Sequence, residues 1–255
     1  MDLSEINNNN FNFSNRHPWE QARMRFLKYL ITQHLGLKVR NVVDIGCGDC
    51  YLLKELAQCF PEAKFTGIDI ALDSESIATL TKEVNRSNAT IENNIDNISK
   101  EETVNCITLF DILEHIEDDK EFLKDIANRP FISPDCYFFI TVPSFNSLST
   151  NHDHKLKHHR RYRNIQLQRT VRESGLKIVE HGYFFHSLLI PRIIEKISAN
   201  FRCNPSSGLD WHGSKIKTLL FKTILFYDAL FCRYIKKVFK IIIPGLSCYV
   251  ICKKP

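Results

Sequence analysis

The stretch VVDIGCGDCYLLKEL, residues 42–56, decides how this chain is read. An apolar run ends at Asp44 and Ile45, Gly46, Cys47 and Gly48 form a turn, and helical spacing resumes at Tyr51. Glycines in such a turn let backbone N–H groups approach a ligand, and the helix start carries a partial positive charge. A second apolar run, KFTGID, ends in Asp69, 21 positions past Gly48. An acid there can accept hydrogen bonds from both hydroxyls of a ribose. A dinucleotide fingerprint would need a third glycine at position 51, where this chain has Tyr51. Asp44 and Asp49 also make the turn unwelcoming to a pyrophosphate. A cationic nucleoside suits it better, because an acid at the strand end can bind an ammonium and offset a nearby sulfonium.

The pattern continues outward from this turn. Helical spacing covers Pro18 to about Leu35, with proline suited to a first turn. Strands are expected at Asn41–Ile45, Lys64–Asp69, Thr90–Asn94, Val104–Phe110, Tyr137–Val142, Lys177–Phe184 and Leu246–Cys252. Helices are expected over Tyr51–Phe60, Ser76–Asn85, Asp118–Ala127 and Ile165–Ser174. Strands alternating with helices predict an α/β fold, a mostly parallel sheet covered on both faces. Residues 1–16 are Asn-rich and expected to be a mobile tail. Residues 187–243 read as two apolar, basic helices around the polar loop NPSSGLDWHGS, a helical insertion forming a lid or substrate wall. The sheet domain then comprises 17–186 and 244–255.

Composition narrows the class. The chain has 255 residues, 44% hydrophobic and 25% charged, which excludes a disordered or collagen-like protein. The first residues lack a basic start followed by an apolar core, so no signal peptide is expected. Nine cysteines scattered through apolar stretches read as reduced, buried thiols of a cytoplasmic protein. The formal charge of +5 hides a division. Residues 1–150 carry 14 basic and 23 acidic side chains, net −9, and residues 151–255 carry 20 and 6, net +14. The second part is suited to an anionic partner, although mutual attraction of the two halves is the plain alternative.

The ordered set D-I-G-C-G-D-C, then G-I-D-I, resembles the class I S-adenosylmethionine-dependent methyltransferases. ITLFDILEHIEDD (107–119) and YFFITVPSFNS are similar to that family's fourth and fifth strands with the segments after them. HDHKLKHHRRYRNIQLQRTVRESGLKIVE resembles a bacterial small-molecule and glycan-type subgroup, as does the closing GLSCYVICKK. The resemblance implies a Rossmann-like seven-stranded sheet with an antiparallel last strand, and S-adenosylmethionine as cofactor. It places Gly46 and Gly48 under the methionine part, Asp44 near its ammonium, directly or through water, Asp69 at the ribose and Asp96 with Ile95 beside the adenine. Cys47, Ile70 and Phe110 are further cofactor-binding residues that it implies. Cys50 stands where many members have glycine.

Methyl transfer rests on alignment, with a base near neutral pKa where the acceptor needs one. His115 follows the fourth strand. His152, His158, Arg161 and Tyr162 lie in the long polar stretch 144–164, whose length points to function. Histidines there are expected to orient an acceptor or take its proton, and arginines to grip an anion; a solvated basic loop is the plain alternative. No metal is expected, since Lys155 and Lys157 repel a cation and Cys47-x-x-Cys50 has no partner pair. A thiol at a helix start tends toward a lowered pKa. The run TLLFKTILFYDALFC carries too many charges for a spanning helix, so an amphipathic helix at the inner membrane surface, a lid and a dimer face stand as readings of it. The function expected is methylation, at oxygen, of a small-molecule or glycan-type acceptor, anionic or lipid-linked. A nucleic-acid or protein methyltransferase is disfavoured, as no N-P-P-Y-type tetrapeptide or RNA-binding module is present. A non-catalytic cofactor-binding regulator is the alternative of a different class.

Overall fold

The computed structural model describes residues 16–99, 101–199 and 213–255, apart from the side chains of Leu37, His152, Ser198 and Ala199. The expected mobility of residues 1–15 and most of the loop NPSSGLDWHGS lie outside the described residues. Seven strands form one sheet in the order β3-β2-β1-β4-β5-β7-β6. They are β1 (Asn41–Ile45), β2 (Lys64–Ile68), β3 (Ala89–Glu92), β4 (Val104–Phe110), β5 (Ile132–Pro143), β6 (Lys177–Phe184) and β7 (Ser247–Lys253). Pairing is parallel from β3 to β5, and β7 runs antiparallel between β5 and β6. The seven-stranded arrangement with an antiparallel last strand is therefore present.

Helices are α1 (Pro18–Leu35), α2 (Tyr51–Cys59), α3 (Ser74–Val84), α4 (Asp119–Asn128), α5 (Asn151–Lys155), α6 (Asn164–Glu173), α7 (Leu189–Ala199) and α8 (Lys215–Phe239). Alternation along the strands builds a core on each face. Phe139, Tyr249 and Ile251 point to the side of α1, α2 and α8, where Phe26, Leu30, Leu53 and Phe184 are buried. Phe138, Val250 and Cys252 point to the side of α4 and α6, with Leu123, Leu167 and Val171.

Three local differences from the expected elements have physical causes. Strand β5 begins at Ile132 rather than Tyr137 because Ser133–Asp135 are absorbed in a register shift opposite Val104–Cys106, where Pro134 needs no ladder partner. Helix α3 starts two residues early, at Ser74, capped by the Asp73 carboxylate accepting from Ser76 N at 2.8 Å. Arg16 is buried rather than part of a tail. The insertion divides: α8 joins the helix layer by burying Leu225, Phe226, Ala229 and Cys232, while Lys196 of α7 donates to the Ser149 carbonyl beyond β5.

The chain turns one way from β1 to β2 and β3, then crosses to β4 on the other side of β1. That reversal opens a crevice beyond the C-terminal ends of β1 and β4.

Candidate active site

The glycine turn fills one wall of this crevice. Gly46 (φ +72°) and Gly48 (φ +53°) adopt left-handed backbone, and the N–H groups of Gly46 and Cys47 both donate to Ile68 O, at 2.7 and 3.0 Å. A Cβ on Gly46 would fall 1.9 Å from Ile112 Cδ1, so the Ile112 side chain would have to move, and the left-handed backbone itself favours glycine there. Asp69 closes the turn: its Oδ2 accepts from Gly48 N and its Oδ1 from Ala71 N, both at 3.0 Å. Each carboxylate oxygen keeps a further lone pair for a ligand hydroxyl. Beside it Ile70 is 91% exposed, an apolar side chain turned to the open side.

Asp44 sits deeper, at the end of β1. It is buried and accepts a 2.5 Å hydrogen bond from Thr108 Oγ1. Burial pushes its carboxyl up to about 7, against the opposing pull of that hydrogen bond. A cation placed here would favour the ionised form. The donor set thus fits an ammonium-bearing nucleoside: a carboxylate in the depth, glycine backbone in the middle and a tethered acid at the outer end.

Several expected contributors behave differently. The Cys47 side chain turns inward, where a Cβ on Gly67 would lie 3.0 Å from its sulfur, so only its backbone lines the turn. A hydrogen bond from Cys50 and burial push the Cys47 thiol up, the reverse of the lowered pKa expected at a helix start. All eight cysteines among the described residues are free, seven of them buried. Ile95 and Phe110 are partly buried against the two cores. Asp96 is exposed and forms an ion pair with Arg129, which also bonds Asp125. Asp49 is matched by Arg16 at 2.5 Å, both side chains being under 5% exposed. Arg16 also bonds Glu20 and lies over the Tyr51 ring, which latches the start of α1 onto the glycine turn. Arg23 pairs with Asp111 and donates to Thr141 Oγ1 at 3.0 Å, tying α1 to the ends of β4 and β5. Neither arginine carried a sequence signal, because each partner is remote in the chain.

The acceptor side is built from two loops. A single 3-10 turn, Leu113–His115, follows β4, and His159 N donates to Glu114 O at 2.8 Å, joining it to the stretch after β5. This brings His115 and His158 together with perpendicular rings, centroids 4.5 Å apart. His158 Nδ1 lies 2.9 Å from Asp153 Oδ1. Arg161 embraces the same carboxylate through Nε (2.6 Å) and Nη2 (3.0 Å), and Thr150 N and Oγ1 add two more bonds. Burial alone would raise the Asp153 carboxyl, but the bonds from His158 and Arg161 and the Arg161 charge hold it well below the usual carboxylate range.

Arg161 therefore positions Asp153 and does not reach for an anionic acceptor. Tyr162 is likewise buried: its hydroxyl lies 2.7 Å from Asp119 Oδ2 and 3.1 Å from Leu113 O, so it braces the 3-10 turn rather than facing the crevice. His152 lies on α5, and its side chain is outside the described residues. Glu114, not singled out from sequence as a site residue, is fully buried beneath the two histidines. Neither of its carboxylate oxygens has a hydrogen-bond partner among the described residues. Burial, and then the nearby Asp111 charge, push its carboxyl well up.

Comparison with known proteins gives the family. A profile described as a methyltransferase domain matches residues 14–185, more than half of the chain. No curated protein sequence matches. Among solved structures, an S-adenosylmethionine-dependent methyltransferase from Archaeoglobus fulgidus superposes with a TM-score of 0.53 at 16% identity, covering 92% of this chain and 97% of that one. The plantazolicin methyltransferase BamL, in complex with a triazolic desmethylPZN analog and S-adenosylhomocysteine, gives 0.54 at 15%, covering 92% and 85%. The [4+2]-cyclase SpnF gives 0.56 at 16%, covering 96% and 85%. At such identities the likeness shows the shared fold alone. The domain match, on a sheet whose crevice fits an ammonium-bearing nucleoside, makes this chain a member of the class I S-adenosylmethionine-dependent methyltransferases, an enzyme whose cofactor is S-adenosylmethionine.

Proposed function

We propose that the enzyme methylates an oxygen of a small-molecule or glycan-type acceptor, anionic or lipid-linked and met at a membrane surface. The observation that carries the choice of oxygen is the His115–His158 pair, with Asp153 and Arg161 holding His158. Two imidazoles fixed at the mouth of the crevice are suited to orienting a hydroxyl. In this reading Asp44 meets the ammonium of the cofactor, Asp69 its ribose hydroxyls, and Ile70 with Ile95 and Phe110 the base. When bound, the cofactor would supply a methyl group on a sulfonium and leave as its neutral thioether, while the acceptor hydroxyl would pass its proton to the His115–His158 pair or to water. The residues of the chain align and desolvate the two partners.

The membrane part of the proposal is supported by α8. Ile216, Leu220, Ile224, Tyr227, Phe231 and Tyr234 recur every three or four residues on its outer side, each about half exposed or more. Lys215, Lys217, Lys237 and Lys240 are exposed at its two ends. No helix among the described residues is long and apolar enough to cross a membrane. An apolar stripe with basic ends is suited to lying on anionic lipid.

The test uses methyl-labelled cofactor with a cell extract separated into lipid, small-molecule, nucleic-acid and protein fractions. Label in the lipid or small-molecule fraction, identified by mass spectrometry as an O-methyl ether or ester rather than a methylamine, supports the reading. Label in nucleic acid or protein refutes the acceptor class, and binding without any transfer favours the regulator. Co-sedimentation with vesicles containing phosphatidylglycerol, abolished by Phe231→Glu and absent with phosphatidylcholine alone, is the expected outcome for the membrane contact. His158→Ala is expected to lower turnover with cofactor affinity unchanged.

A further inference from the structure

We infer that Glu114, His115 and His158 form a binding site for one divalent transition-metal ion, of which the Zn2+ class is the best match. This rests on the acceptor side proposed above and deepens it.

The argument starts from Glu114. Both of its oxygens are buried without a partner among the described residues. Buried polar atoms are nearly always satisfied, so an acid with neither oxygen bonded asks for a partner at that point. One ligand atom from each of Glu114, His115 and His158 lies within 4.8 Å of the others. A shared ion would draw the three atoms to the usual ~2.0–2.2 Å from it. Two imidazoles and one carboxylate are a borderline-soft donor set that suits Zn2+ or Co2+, whereas Mg2+ and Ca2+ take oxygen ligands.

The surroundings supply the second element of a metal centre. A metal-bound histidine normally gives its other ring nitrogen to a carboxylate, which fixes its tautomer and direction. His158 does so through Nδ1 to Asp153, which leaves Nε2 as its free ligand atom. Asp153 is itself locked by Arg161 and Thr150. An elaborate clamp of this kind is more than a solvated loop requires. Lys155 and Lys157, whose charges argued against a cation in the sequence, are exposed on the outer side of the loop. Asp111 adds a carboxylate nearby, partly balanced by Arg23.

Three protein ligands leave coordination positions open. An acceptor bearing a hydroxyl next to a second oxygen, as in a diol, a catechol or a hydroxy acid, would fill them and have its hydroxyl acidified and aimed. The substrate class is thus narrowed to oxygen chelators.

The test is calorimetry of the full, chelator-stripped chain with Zn2+ alone, and separately with Mg2+, alongside S-adenosylhomocysteine on the same sample. One Zn2+ per chain is expected, lost in both Glu114→Gln and His158→Gln, and about 10- to 100-fold weaker in Asp153→Asn. Should a ligand variant fail to fold, the visible absorption of Co2+ bound to the wild-type chain reports nitrogen and oxygen ligation without any substitution. No Zn2+ binding by a chain that retains S-adenosylhomocysteine overturns the metal site and leaves the methyltransferase reading standing. Binding that survives both ligand substitutions overturns it as well, as does a preference for Mg2+ over Zn2+. Loss of S-adenosylhomocysteine binding by folded wild-type chain would instead strike the cofactor reading.

Discussion

If Asp44 meets the cofactor ammonium as proposed, cofactor affinity should depend on pH and fall as pH falls. In the free protein its carboxyl is half-protonated at about pH 7, because burial opposes the charge. An ammonium-bearing ligand beside it binds the ionised form. At pH 8 about nine tenths of the chains are ready, and at pH 6 about one tenth, so apparent affinity falls about tenfold, or ~1.4 kcal/mol. Ligand uptake at pH 6 must then expel close to one proton, about 0.9. The sign is that of an acid raised in the free state and returned toward ionisation by the ligand: binding weakens as pH falls. Calorimetry with S-adenosylhomocysteine at pH 6, 7 and 8, repeated in buffers of different ionisation enthalpy, measures both quantities. Asp44→Asn should bind more weakly at pH 8 and lose the slope. An affinity unchanged between pH 8 and 6, with no proton expelled, would refute the placement of the ammonium at Asp44.

Asp69→Ala removes the acceptor that closes the glycine turn onto Gly48 and Ala71, and should weaken cofactor binding by about 1–3 kcal/mol in a folded protein; titration calorimetry decides. Gly46→Ala combines left-handed backbone with a Cβ driven into Ile112, and should destabilise the fold by about 1–3 kcal/mol in urea unfolding. Arg16→Met leaves Asp49 buried without its guanidinium, and should cost about 3 kcal/mol of stability by the same measurement. An effect below ~0.5 kcal/mol would show that the latch between α1 and the turn carries nothing.

The sheet was legible from sequence because its signals are local. Short apolar runs, strand-ending glycines and an acid 21 positions beyond Gly48 each depend on near neighbours within one strand-turn-helix-strand unit. Where an element departed, a tertiary partner decided: the shift that admits Pro134 into β5 exists because Val104 finds Ile132 across the sheet. The third strand, weakly marked by Thr90–Asn94, is set at Ala89–Glu92 by pairing with β2.

Site residues divide along the same line. Gly46, Gly48, Asp44 and Asp69 were legible as neighbours because they lie at or just past the ends of two strands, β1 and β2, that the strand-helix-strand pattern makes adjacent. Arg161 and Tyr162 lie in the right segment, yet their side chains are spent on Asp153 and Asp119. Cys47 is in the turn, and its thiol faces the core. Glu114 and the Arg16–Asp49 latch had no local signal at all. By itself the sequence determined which backbone segments meet at the crevice, since glycine freedom and apolar periodicity act over a few residues. Which side chains face it was decided only by tertiary structure, since a charged or polar group turns toward whichever partner spares it an unpaired burial, and those partners come from distant parts of the chain.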